Sequence, residues 1–145
     1  MCDDIPKALG FYVGCLGFTL KVDTSIHGER FVVAMPPQHV EFQPVCCLRF
    51  RQAQSKRDFA AVGNQAGDGV YLQIECDDWE YVYGKLKTMG VKMIDKEPRD
   101  RGGFRVATIE DPMGNKVNFV EKTTTNMGKV FEHDVGHGEG NDLED

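Results

Sequence analysis

The sequence predicts an α+β fold of two βαβββ modules whose strands form one curved, mostly antiparallel sheet, with the first strand of module one missing. Three observations point there. The stretch from Gly103 to Glu121 reads as two strands joined by a tight turn: Phe104, Val106 and Thr108 alternate with Arg105, Ala107 and Ile109, Asp111-Pro112-Met113-Gly114-Asn115 turns the chain, and Val117, Phe119 and Glu121 share one face of the second strand, with Asn118 and Val120 on the other. The elements also recur in order, helix-strand-strand-strand in the first half and strand-helix-strand-strand-strand in the second. Finally, the halves match in letters: Asp3-Asp4-Ile5 with Asp77-Asp78-Trp79, Gly17-Phe18 with Gly90-Val91 after a one-residue gap, and Gly28 through Pro37 roughly with Gly103 through Pro112. An internal repeat constrains the fold more than any single element does.

Taken in order, Asp4 is a good N-cap and Pro6 fits a first helical turn. Ile5, Ala8, Leu9, Tyr12 and Leu16 form an apolar stripe, and Gly17 is placed to stop the helix. Phe18, Leu20 and Val22 alternate as a strand, Ser25-Ile26-His27-Gly28 is a turn, and Phe31 to Met35 is an apolar strand ended by Pro36-Pro37. Val45 to Phe50 makes the next strand, closing module one over residues 3–50. Residues 51–68, polar and glycine-bearing, read as a linker. Module two, 69–121, opens with a strand from Val70 to Cys76; Asp77 or Asp78 caps a helix carrying Trp79, Val82, Leu86 and Met89, Gly90 ends it, and Val91 to Ile94 leads into the hairpin. The folded domain is thus expected over 1–121, followed by an acidic, disordered tail over 122–145.

Composition bounds the function. Of 145 residues, 41% are apolar and 28% charged, and no run has the roughly 18 apolar residues of a membrane helix. Neither a membrane partner nor an apolar leader is expected, so a cytoplasmic location is the default. Net charge is −6, and the tail, with six acids and two lysines, carries −4 of it. A nearly neutral body offers no basic face for nucleic acid. Five cysteines, odd in number and without a C-x-x-C pair, suggest free thiols buried in a reducing compartment rather than disulfides or a zinc ribbon. Cys46 and Cys47, adjacent on a strand, would point to opposite faces. His27 and His39 are isolated, and His133 and His137, though four apart, stand beside Gly136 and Gly138, which disfavour a helix.

The chain resembles the vicinal oxygen chelate superfamily, which includes glyoxalase I, bleomycin- and fosfomycin-resistance proteins and extradiol dioxygenases. Ala8-Leu9-Gly10-Phe11-Tyr12, Leu16-Gly17-Phe18, Gly69-Val70-Tyr71-Leu72 through Asp77-Asp78, and Asp111-Pro112-Met113-Gly114-Asn115 carry the resemblance over residues 3–121. It implies a cleft on the concave face of the sheet, and in metal-using members a divalent ion held there by His, Gln and Glu. The corresponding positions do not hold those residues here. The strand that bears the first ligand is missing, Tyr71 and Asn118 stand at two others, and the strand Val45–Phe50 offers thiols, Leu48 and Arg49. Neutral Tyr and Asn replace imidazole and carboxylate poorly, so neither a metal nor another cofactor is expected. Glu121, three residues past Asn118, falls on the other face and reads as an exposed or rim carboxylate.

The expected function is therefore metal-free binding of a small, partly planar molecule, with Tyr71, Asn118, Arg49, Phe50 and Phe104 as ligand-binding residues. The alternative is a metal-dependent enzyme of the superfamily, a glyoxalase-like lyase, an epimerase or a dioxygenase, with ligands the pattern does not reveal. The sheet edge left bare by the missing strand is expected to be covered by a second copy in a homodimer, with a fold-back of residues 129–135 or a chain that begins late as the other options.

Overall fold

The computed structural model describes residues 1–37 and 46–123. Its class is α+β. Helix α1 (Ile5–Leu9) starts at Asp4, whose side chain accepts from the Lys7 N–H, and it continues into a π-helical stretch over Gly10–Cys15. Gly17, at φ 75°, ends it in the left-handed region that only glycine enters without strain. Strands β1 (Thr19–Ile26), β2 (Glu29–Met35) and β3 (Leu48–Phe50) form a three-stranded antiparallel sheet in sequence order. Helix α2 (Lys56–Ala61) follows, then β4 (Leu72–Cys76), α3 (Trp79–Thr88), β5 (Lys92–Met93), β6 (Arg99–Asp100), β7 (Phe104–Glu110) and β8 (Lys116–Lys122). These strands make a second sheet ordered β4-β8-β7-β5, with β6 against β7; β4 runs parallel to β8 and the rest are antiparallel.

The matching letters correspond to matching geometry. Asp4 (φ −144°, ψ 104°) and Asp78 (φ −143°, ψ 100°) are N-caps of nearly identical conformation, and Asp78 accepts from the Tyr81 N–H as Asp4 does from Lys7. Ile5 and Trp79, the next residues, are both buried. Cys76 ends β4 in parallel register with Glu121, and Cys2 makes an isolated parallel bridge to Gln52. No strand precedes α1 among the described residues, so this bridge is the one place where module one reproduces the β4–β8 pairing.

Several expectations need correction. The stretch 51–68 is not featureless: α2 sits in it, held by a capping box in which Ser55 accepts from the Asp58 N–H and Asp58 accepts from the Ser55 N–H. Strand β1 extends to Ile26, so the turn is two residues, His27 (φ 51°) and Gly28 (φ 82°), the left-handed pair that matches strand twist. Strand β3 is only three residues long; Cys46 and Cys47 precede it and are exposed, whereas Cys2 is buried. In the final turn Gly114 takes a positive φ, 101°. β6 had no signal in the sequence. His39, Val45, His133 and His137, and the tail expected to be disordered, lie outside the described residues, apart from Lys122, which ends β8, and Thr123.

One buried cluster spans both halves. Ile5, Ala8, Phe11, Tyr12 and Phe18 pack with Val32, Ala34 and Phe50 from the first sheet and with Trp79, Leu86, Ala107, Ile109, Val117 and Phe119 from the second. Aromatic pairs knit it: Tyr12 lies 5.4 Å from Phe50 and Trp79 lies 6.4 Å from Phe119, centroid to centroid. No helix among the described residues is long and apolar enough to cross a membrane.

Candidate functional site

Strand alternation sorts the expected ligand residues onto different surfaces. Register pairs Asn118 with Gln73 on one side and Thr108 on the other, so the three share the face of the second sheet turned away from the buried Val117 and Phe119. There the Thr108 hydroxyl donates to Asn118 Oδ1 at 2.9 Å, Arg99 donates to the same hydroxyl oxygen at 3.1 Å, and Asp95 accepts from the Thr108 N–H and pairs with Arg99 at 2.8 Å. Phe104 opens β7 on that face, opposite Lys122, and is 36% exposed. Arg49 stands on the open face of the first sheet, its guanidinium 4.5 Å from the Phe31 ring centroid.

Phe50, the neighbour of Arg49, points the other way and is buried against Tyr12. It belongs to the buried cluster and also borders the small cavity at the seam. Tyr71 is half-buried and turns toward the seam between the halves, where it lines a cavity of only about 20 Å³ with Cys2, Tyr12, Arg49, Phe50, Asp111 and Asn115. Burial, with the Asp111 carboxylate and Cys2 nearby, raises its pKa, so the phenol keeps its proton. The structure thus brings Arg49, Phe50 and Tyr71 to one small cavity and leaves Asn118 and Phe104 on a sheet face apart from it.

Two residues matter more than their sequence context suggested. Asp111 is buried and accepts four hydrogen bonds, from the Met113 N–H (2.9 Å), the Asn115 N–H (2.8 Å), Asn115 Nδ2 (2.9 Å) and the Tyr12 hydroxyl (2.7 Å). The desolvated Tyr12 phenol is driven well above its ordinary range by burial and by this carboxylate. Asn115 Oδ1 is buried with no partner in the described structure. Glu121, expected at the rim, instead tucks against α3: its side chain is 14% exposed, accepts from the Trp79 N–H at 2.8 Å and pairs with Arg105 at 2.9 Å. It satisfies an orphan donor at the helix N-terminus, a favourable place for a carboxylate.

The larger opening lies elsewhere. A cavity of about 540 Å³ runs between the two sheets, with every residue of β4 from Leu72 to Cys76 on one wall. Leu16, Phe18, Leu48, Val82 and Phe119 supply apolar surface, Gln73 and Glu75 supply polarity, and Pro36, Pro37, Cys46 and Cys47 complete the lining among the described residues. Its size falls within the range of small-molecule pockets, about 300–1,000 Å³. Sequence reasoning missed it because it belongs to no strand face; it lies along the edge of β4 that has no paired strand among the described residues.

A divalent ion finds no home in the expected positions. Asn118 Oδ1 already accepts from Thr108, Arg49 is a cation, and Tyr71 holds its proton. No group of three His, Cys, Asp or Glu among the described residues is arranged to hold a metal. This donor set does not fit the ion used by metal-dependent members of the superfamily.

Comparison with known proteins agrees with the fold. A protein of Shewanella frigidimarina (strain NCIMB 400) is 34% identical over 116 residues, 78% of this chain and 82% of that one. TnmS3, an antibiotic binding protein from Streptomyces sp. CB03234, superimposes with a TM-score of 0.62 at 22% identity, over 84% of this chain and 89% of its own. A superfamily member from Sphaerobacter thermophilus DSM 20745 gives 0.62 at 24% identity, over 84% and 91%. The family model described as Glyoxalase/Bleomycin resistance protein/Dioxygenase superfamily matches residues 1–119, and to that superfamily the chain belongs.

Proposed function

We propose that this protein binds a small, partly planar molecule without a metal ion, in the cavity between the sheets. The observation that carries the reading is the cavity itself: about 540 Å³, walled by Leu16, Phe18, Leu72, Ile74, Val82 and Phe119, with Gln73 and Glu75 as polar contacts. Apolar walls with a few fixed polar groups are the usual make-up of a reversible binding site. An antibiotic binding protein among the structural neighbours is consistent with such a use of the fold. Within this reading Arg49 and Tyr71 border the seam and Asn118 and Phe104 contact only ligands that reach the open sheet face.

The test is a thermal-shift screen of planar apolar compounds, each with and without EDTA, on the wild-type chain and on Val82→Trp, which fills the cavity. A ligand at 100 times its Kd stabilises by about 2.7 kcal/mol. The expected result is a shift that survives EDTA and vanishes in Val82→Trp. A shift that requires a divalent ion, or one that Val82→Trp leaves intact, overturns the proposal.

A further inference from the structure

The thiols are spread unevenly over the molecule. Cys2 is buried at the seam between the halves, and Cys15 is half-buried in the π-helical stretch. The other three of the chain's five cysteines, Cys46, Cys47 and Cys76, all line the cavity of about 540 Å³. They reach it from different elements: Cys76 is the last residue of β4, in the second sheet, and Cys46 and Cys47 lead into β3 of the first.

Two simpler uses of gathered thiols do not fit. A soft metal ion needs its ligands to converge within one coordination sphere, and no group of three His, Cys, Asp or Glu among the described residues does so. A disulfide between Cys46 and Cys47 is opposed by geometry, since consecutive Cα atoms lie about 3.8 Å apart across a trans peptide and an unstrained disulfide spans roughly 4.4–6.8 Å. The pair stands as two exposed free thiols. Cys76 differs: it is half-buried, and burial with Glu121, Asp77, Asp78 and Glu75 nearby keeps its proton in place. The cavity thus carries accessible nucleophiles on its first-sheet side, and on β4 a protonated thiol and the Gln73 amide as neutral donors. Leu16, Phe18, Val82 and Phe119 make the walls between them apolar. A flat conjugated body, one carbonyl acceptor and one soft electrophilic carbon would meet each of these features.

We propose, resting on the small-molecule reading of the cavity, that it captures planar α,β-unsaturated carbonyl compounds by covalent addition to the Cys46–Cys47 pair. A Cys46 or Cys47 thiolate gives its electron pair to the β-carbon, and the new C–S bond replaces the C=C π bond. The displaced π electrons pass to the carbonyl oxygen as an enolate, and the proton that the thiol released to solvent returns at the α-carbon. No oxidant, reductant or leaving group is needed. The apolar walls hold the conjugated plane and Gln73 takes the carbonyl oxygen, so that addition follows binding and gains from proximity.

The test uses the full chain, reduced and then freed of reductant, with three probes. Benzylideneacetone is a planar aryl enone, methyl vinyl ketone is an enone without the aromatic body, and 2-acetonaphthone is a planar ketone without the reactive double bond. Adducts are timed by intact mass and located by peptide mapping in the wild type, in Val82→Trp and in the double variant Cys46→Ser/Cys47→Ser. The expected rate with benzylideneacetone saturates with concentration, maps to Cys46 or Cys47 and is lowered by 2-acetonaphthone. It falls at least about tenfold in Val82→Trp, and the saturable phase is lost in the double variant. Methyl vinyl ketone should react without saturation and equally with the wild type and Val82→Trp, which shows that the variant still folds with its thiols accessible. A rate linear in benzylideneacetone, no competition, or first adducts on other cysteines overturns the inference from the wild-type chain alone. If 2-acetonaphthone gives a thermal shift that Val82→Trp abolishes while benzylideneacetone reacts linearly, the small-molecule reading stands and covalent capture falls. No Val82-dependent shift together with no saturation removes both.

Discussion

At the scale of single residues, Asp111 accepts more hydrogen bonds than any other side chain among the described residues. Its two carboxylate oxygens take four donors, two of them backbone amides of its own turn and one the hydroxyl of Tyr12, 99 positions earlier. Asp111→Ala is expected to destabilise by roughly 3–5 kcal/mol in urea unfolding, because it leaves several buried donors unpaired at once. Tyr12→Phe, which removes one bond to a charged acceptor, should lower stability by about 1–3 kcal/mol in the same measurement.

The thiols separate by environment. Burial, together with Glu121, Asp77, Asp78 and Glu75 nearby, pushes the pKa of Cys76 up to about 11 from 9.0. Cys46 and Cys47 are exposed, and burial also raises Cys2. Timed iodoacetamide labelling at pH 8 followed by mass spectrometry should modify Cys46 and Cys47 first and Cys2 and Cys76 last. The linked effect on stability has a definite sign. Between the unfolded pKa near 9.0 and the folded value near 11, the native state binds more protons at Cys76 than the unfolded chain does. Its contribution is therefore complete below pH 9 and is lost as pH rises to 11.

At the scale of elements, what could be read in advance was local and periodic. Both N-caps, the helix stops at Gly17 and Gly90, and the β7–β8 hairpin follow from short-range chemistry. The same alternation that put Asn118 on the face opposite Phe119 also separates Arg49 from Phe50, and applying it there would have assigned Phe50 to the core. Glu121 was rightly placed across from Asn118, but its partner is the N-terminus of a helix 42 residues earlier, a contact no window along the chain can show. The short β3 was equally hidden: β2 stops at Met35, before the two prolines, and leaves Cys46 and Cys47 without a ladder. Helix α2 was legible after all, in Ser55-x-x-Asp58, and was passed over because the stretch around it is polar.

Two substitutions probe element junctions. Glu121→Ala should loosen the start of α3, at a cost of about 1–3 kcal/mol, with faster amide exchange at Trp79 as the specific sign. Gly63 has φ 70°, and a Cβ there would lie 2.1 Å from the Met113 carbonyl oxygen. Gly63→Ala must therefore push the segment after α2 off the β7–β8 turn, and its melting temperature should fall well below that of Gly67→Ala, where φ is 57° but no atom lies within 4 Å.

At the scale of the whole molecule, the repeat invites a view of two independent modules, and the packing contradicts it. α1 contributes Ile5, Ala8 and, in the π-helical extension, Phe11 and Tyr12 to the same buried cluster as Trp79 and Leu86 of α3, and the last strand adds Val117 and Phe119. Residues 1–68 and 69–123, expressed separately, should each show little fixed tertiary structure by near-ultraviolet dichroism and regain it when mixed; two cooperative, native-like fragments would contradict the single cluster. The clasp between the Tyr12 hydroxyl and Asp111 makes the same point on a finer grain. A ribosome releases the first of these partners long before it has made the second. Throughout synthesis of the intervening chain the nascent helix therefore lacks the acceptor that will secure it, and the N-terminal half can settle into its final form only when the end of the sheet arrives.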